Sequence, residues 1–185
     1  MLAYSSIAHT GYILVGMIAA PRADAGFAPV VMYLASYTIM NLGAFAVLSI
    51  LSGRGDTGLN LHDLSGLAKK SPWLAFAMAV FLFSMAGVPP TAGFAAKYYL
   101  LYSAVQAKEV WLVVLAVLCS AIAVYYYLRV LVYMYMRDPQ GEPREANLTP
   151  ALGAFAVAMM VTMTLQIGIL PSKMMAVTKR IVAKL

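Results

Sequence analysis

The sequence is poor in charge. Of its 185 residues 11% are Asp, Glu, Lys or Arg and 63% are hydrophobic, whereas a soluble domain carries about 25% charged residues. That shortage excludes an ordinary water-soluble globule and points to an integral membrane protein. Acidic groups are scarcest: all seven Asp and Glu fall in expected loops, so no charge-switching Glu–Lys pair can be built inside the apolar runs of this chain. The one cysteine, Cys119, sits in an apolar run. It reads as a small buried hydrophobe and says nothing about redox compartment. The two histidines, His9 and His62, stand too far apart in sequence to suggest a metal site. There is no nucleotide loop, nucleophile elbow or haem-binding pair, so neither a metal nor a cofactor is expected on this chain. The net charge of +6 is scattered through loops and the C-terminal tail. Without a basic face interleaved with aromatics, it fits membrane-flanking loops and no nucleic-acid partner. Met1 opens directly onto an apolar segment with no basic stretch before it, which is not a signal peptide and reads as the inside of a longer protein.

Long apolar runs are what the sequence has in abundance. A helix crossing lipid needs about 20 mainly apolar residues, and the runs 2–20, 27–51, 72–88, 91–107, 110–136 and 151–170 are candidates for about six transmembrane helices in a single domain, 1–185. They are too long and too continuously apolar for the short alternating segments of a membrane barrel. Only helices satisfy their own backbone groups in lipid, so an all-α bundle is expected. The connection 52–70 and the stretch 137–150 are polar. Within the first, Leu59 to Leu67 reads as a short surface helix with its leucines toward the membrane. Six spans put both termini on one side, with Arg54, Lys69, Lys70, Lys108, Lys173, Lys179, Arg180 and Lys184 there and Arg22, Arg137 and Arg144 opposite. By the positive-inside rule that side is the cytoplasm.

The stretch Gly87-Val88-Pro89-Pro90-Thr91-Ala92-Gly93 interrupts two of these runs, and Lys97 follows it. Proline removes a backbone donor and clashes with the preceding turn, so a regular helix stops there. Short segments broken by Gly and Pro are also the sequence signature of discontinuous helices in transporters. The break falls either at Gly87–Pro90 or after Lys97, near Ser103–Glu109. Two readings of Lys97 stand side by side. In one, the break is a turn and the lysine snorkels to the headgroups. In the other, it is a buried functional group, because a charge in hydrocarbon costs from about 3 to more than about 10 kcal/mol and such residues face a bundle interior or a water-filled cavity. A lysine so placed can load and unload a proton, and Tyr98, Tyr99 and Tyr102 are near enough in sequence to hydrogen-bond water around it.

Other polar groups lie inside the runs. Ser5, His9, Tyr12 and Gly16 recur every three or four residues and share one helix face. That stripe either packs a neighbouring helix, with Gly16 permitting close approach, or carries protons, with His9 the titrating member. Asn41, on the run holding Tyr33, Ser36 and Tyr37, is deep enough to need a partner from another helix or a polar path. Arg129 follows Tyr125 and Tyr126 by one turn, close enough for a cation–π contact, with snorkelling as the alternative. Arginine keeps its proton at physiological pH, so it sets a field and does not relay.

Met1–His9, Asn41–Phe45, Asp63–Leu67, Gly87–Phe94 with Lys97-Tyr98-Tyr99, and Ala123–Arg129 together resemble the antiporter-like subunits of respiratory complex I, the subunit N group most closely, in order over nearly the whole chain. The resemblance implies a fold of about fourteen helices in two inverted five-helix repeats, each with one broken, lysine-bearing helix. This chain would then be the C-terminal portion, the second repeat plus the last helix. It implies that Lys97 and His9 lie on a proton path. It also implies that the chain binds no cofactor itself, with NAD, flavin, iron–sulfur clusters and quinone elsewhere in the complex. The implied partners are other membrane subunits, the lipid bilayer and protons, in a bacterial plasma membrane. The first repeat, with its Glu–Lys pair, is missing here.

Overall fold

The structure, a computed structural model, describes residues 1–52, 60–138 and 151–184. Among them there are helices and no strand. In chain order they are α1 (Leu2–Ala19), α2 (Ala28–Ser52), α3 (Leu67–Lys70), α4 (Pro72–Ala86), α5 (Ala92–Gln106), α6 (Val110–Met136), α7 (Ala151–Ile169) and α8 (Pro171–Val182). Single 3₁₀ turns at Ala20–Arg22 and Leu61–Leu64 follow α1 and precede α3. Arg54 and Arg144 lie outside the described residues.

The surface is apolar where a soluble protein's would be polar. Val114, Leu118 and Ile122 form an exposed stripe along α6, and Ile7, Leu14, Leu42 and Phe155 are exposed elsewhere. Such a surface requires an apolar solvent. Four segments, containing α1, α2, α6 and α7, are long and apolar enough to cross a membrane. The chain is a multi-pass membrane protein. Cys119 belongs to this outer surface, not to the interior expected for it.

The runs 72–88 and 91–107 do not make separate passes through the bundle. Residues of α4 meet α2 in antiparallel order, Phe81 against Gly43 and then Ser84 Oγ 3.3 Å from Met40 Sδ. Along α5, Ala96 packs with Tyr12, Leu100 with Gly16, and Ala104 with Ala19, so α5 runs parallel to α1. Lys69, just before α4, reaches Asp138 at the far end of α6, while Gln106, at the end of α5, bonds Asp24 after α1. So α4 enters at one face and α5 leaves at the other. Each has 15 residues, about 22 Å of helix, less than the roughly 30 Å of a hydrocarbon core. In series they make a single passage with an interruption part-way. The helix directions thus do not support the sequence-based count of six passes, and the siding of the basic residues that rested on it changes with them. Lys69, Lys70 and Arg137 lie on the face where α1 begins, and Arg22, Lys108, Lys173, Lys179, Arg180 and Lys184 on the other.

Two further expectations change. The 3₁₀ turn is closed by a capping box between Asn60 and Asp63, but Leu64 and Leu67 are buried in the main core beside α4 and α6 instead of facing lipid. The basic tail is a helix, α8, started by Pro171 at its first turn; basic residues on one side had hidden its apolar face.

Candidate functional site

The interruption is built by local chemistry on both sides. Gly87 ends α4 with φ 89° and ψ 40°, a left-handed conformation that glycine adopts without a Cβ penalty. Its N–H reaches the Ser84 carbonyl, and the Val88 N–H reaches the Phe83 carbonyl at 3.0 Å. This Schellman arrangement satisfies two of the four terminal carbonyls. The carbonyls of Met85 and Ala86 remain. On the other side α5 starts after Thr91, whose hydroxyl donates to the Val88 carbonyl at 2.6 Å. The Gly93 N–H, an unpaired donor of the first turn, is taken by Ser84 Oγ at 2.9 Å. A Cβ on Gly93 would run into the Ser84 carbonyl, and one on Gly168 of α7 into the backbone of Pro90 and Thr91. The two half-helices and α7 therefore meet backbone to backbone.

Lys97 sits one turn into α5 and is 7% exposed. Its Nζ donates to the Met85 carbonyl at 2.9 Å, the Ala86 carbonyl at 3.3 Å and Ser120 Oγ of α6 at 2.9 Å. The two carbonyls are the ones the Schellman turn leaves free, at the negative end of the α4 dipole. An ammonium has three donors, and here each has an acceptor. The face of the Tyr12 ring lies 5.0 Å from Nζ, adding a cation–π contact. An open, mainly apolar groove of about 530 Å³ between α5 and α6 reaches this group and is lined by Gly87, Phe94, Tyr98, Tyr102, Ser120 and Val124 among others.

A second polar cluster surrounds His9. Nδ1 is 2.8 Å from the Tyr33 hydroxyl and Nε2 is 3.4 Å from the Tyr127 hydroxyl. Tyr127 also bonds Ser5 Oγ, and the imidazole stacks on Tyr37 at 4.6 Å. Tyr37 in turn donates to Ser6 Oγ at 2.7 Å. Tyr12 joins the two clusters: its ring is 6.0 Å from that of His9, and its hydroxyl donates to the Ala116 carbonyl at 3.2 Å. Ser5, His9, Tyr12 and Gly16 form the buried face of α1, as their spacing requires. Among the described residues no three His, Cys, Asp or Glu side chains gather into a metal-binding group.

The family model described as NADH:quinone oxidoreductase/Mrp antiporter, transmembrane, matches residues 1–123. The chain belongs to that family. NADH-quinone oxidoreductase subunit N of Trichlorobacter lovleyi is 48% identical over 172 residues, covering 93% of this chain and 35% of that protein. Subunit N 1 of Herpetosiphon aurantiacus is likewise 48% identical, over 93% of this chain and 35% of its own length. The chain thus spans about a third of the curated relatives it matches. Among solved structures, a chain of respiratory complex I from Thermus thermophilus with bound aureothin superposes with TM-score 0.78 at 33% identity, covering 95% of this chain and 38% of that one. A chain of the Mrp complex from Dietzia sp. superposes with TM-score 0.83 at 22% identity, over 96% and 41%; at that identity the likeness is one of fold.

The family match holds both clusters apart from Tyr127. Of the residues singled out by sequence, Lys97, Tyr12, His9 and Ser5 come together. Lys97 is enclosed between α4, α5 and α6 and does not extend to the surface of the bundle. Tyr98 is exposed, stacks on Tyr102 at 6.2 Å and lines the groove without bonding Lys97. Asn41 has its Oδ1 buried with no hydrogen-bond partner, so the interhelical bond expected of it is not made by that atom. Arg129 is exposed on the outside of α6. Sequence reasoning missed Ser84 and Ser120; the only signal was a hydroxyl in the middle of an apolar run. It noted Tyr33 and Tyr37 without assigning them to His9 and did not single out Tyr127, because pairing across helices leaves no mark in spacing along one.

Proposed function

We propose that this chain forms part of the proton path of a membrane subunit of an NADH–quinone oxidoreductase, a non-redox subunit driven by quinone reduction elsewhere in the complex. Lys97 carries the reading. It is a buried amino group, held at the open end of an interrupted helix, at the base of an open groove, and one aromatic ring away from a buried imidazole. An amino group can take and give a proton, and His9, hydroxyl-bonded at both nitrogens, is the next group that can. On this reading the chain corresponds to the second repeat and last helix of the longer subunit. Its partners are the remaining membrane subunits, the bilayer and protons. NAD, flavin, iron–sulfur clusters and quinone belong to other subunits, and the location is a bacterial plasma membrane, as the bacterial relatives support.

The test is Lys97→Met and Lys97→Arg in the assembled complex, with proton translocation and quinone reduction measured on the same membrane vesicles. Both variants are expected to lower protons moved per electron, the transfer through this group slowing at least about a hundredfold, the low side of what a positioned proton-transfer group contributes. The arginine variant keeps the charge but cannot release a proton, so full recovery with arginine would reduce Lys97 to a fixed charge. Wild-type translocation in both variants would overturn the reading.

A further inference from the structure

We infer that α8 is an anchor for anionic phospholipid, lying along the membrane surface at the face where α7 ends. The inference rests on the membrane setting and not on the proton path. A single residue, Leu170, separates α7 from Pro171, which starts α8, so the chain leaves a membrane-crossing helix and turns at once into another. One side of α8 is packed: Met175 and Thr178 are buried, Met175 against Ala28, Met32 and Ala95, with Met174, Val182, Tyr99 and Ile167 around them. Ala28 opens α2, so α8 lies at the level where that helix enters the bundle.

The other side is divided lengthwise. Val177 and Ile181, four residues apart and so on one face, are 50% and 48% exposed. Beside them Lys173 and Arg180, seven residues apart, form a basic stripe that Lys184 continues in the turn after α8, all three residues being exposed. Segment 151–185 contains no Asp or Glu. Among the described residues the salt bridges are Arg22–Glu109 and Lys69–Asp138, neither on α8. A helix packed on one flank, apolar on the next and basic beyond it has the pattern of an interfacial helix: Val177 and Ile181 enter the acyl region while the basic stripe sits among phosphates. The positive stripe selects negatively charged headgroups over zwitterionic ones.

The experiment uses the full chain in lipid nanodiscs, in a Cys119→Ser, Val177→Cys background carrying a spin label at position 177. The preference for spin-labelled phosphatidylglycerol over spin-labelled phosphatidylcholine is measured in the same discs. The label at 177 is expected to be out of water. Lys173→Gln, Arg180→Gln and Lys184→Gln together are expected to cut the phosphatidylglycerol preference at least about tenfold, each cation near an anionic surface being worth roughly fivefold. Unchanged helix content and disc incorporation check that the triple variant is folded. An aqueous label, or equal lipid preference in the parent and triple variant, overturns the proposal. So does a label that dries only in the assembled complex, since a protein partner would then cover this face.

Discussion

At the residue scale, the question is how a lysine can be buried in a bundle whose surroundings are hydrocarbon. The cost, from about 3 to more than about 10 kcal/mol for an unassisted charge, is offset by three acceptors and an aromatic face gathered around Nζ. Two of the acceptors are backbone and cannot be mutated away. Ser120 can: Ser120→Ala is expected to destabilise the protein by about 1–2 kcal/mol, the half-buried serine keeping the loss below that for a fully enclosed charge. Its unfolding in detergent would show this, and Ser120→Thr, which keeps the hydroxyl, should recover much of the loss. Tyr127→Phe removes the hydroxyl that bonds Ser5 and approaches His9 and is expected to cost about 1–3 kcal/mol because a buried acceptor or donor is left unpaired. Lys97 was legible as a candidate because a single charge in an apolar run is conspicuous. Its acceptors were not, because carbonyls carry no residue identity.

At the element scale, the interruption between α4 and α5 is a designed joint. Gly87 turns the chain, Ser84 caps the following half-helix, and Gly93 and Gly168 let three backbones touch. Gly93→Ala places a methyl where the Ser84 carbonyl stands and is expected to cost about 1–3 kcal/mol or more by overpacking; on the proposed function it should also lower proton translocation, because the Lys97 acceptors shift with α4. Thermal unfolding of the variant checks the first part and vesicle assays the second; a neutral Gly93→Ala would mean that the joint gives. The sequence offered two positions for the break without choosing between them, and both exist as helix ends: α5 is also ended, after Gln106, by Lys108 at φ 64°. Which break interrupts a passage and which ends one depends on where the chain goes next, and Gly and Pro mark both alike.

At the scale of the whole molecule, an ion pair joins distant elements at each of the two faces. Arg22 pairs with Glu109 at 3.0 Å on one face and Lys69 with Asp138 at 2.6 Å on the other. Lys69 holds the Asp138 carboxyl below its ordinary range. A folded-state value depressed in this way contributes stability above the unfolded carboxylate range and loses it as pH falls through the lower folded value; with both partners exposed the contribution is small. The series arrangement of α4 and α5 has a sharper consequence. In a Cys119→Ser background, Lys70→Cys and Lys108→Cys are expected to react with a membrane-impermeant thiol reagent from opposite sides of sealed vesicles. Labelling of both from one side would restore separate passages for 72–88 and 91–107.

By itself the sequence determined the solvent, the helical class, the approximate extent of six of the eight α-helices and the shared face of the polar residues of α1, and it singled out Lys97 without placing it. These follow from composition, from apolar run length and from the 3.6-residue period, all of them properties of neighbouring residues. Only the tertiary structure decided that two runs share one passage, that Lys97 rests on the free carbonyls of α4, that His9 is held by tyrosines of two other helices, and that Arg129 faces outward. Each of these is a pairing across long stretches of chain, fixed by which helix backbones can approach closely, and a linear pattern does not encode that approach.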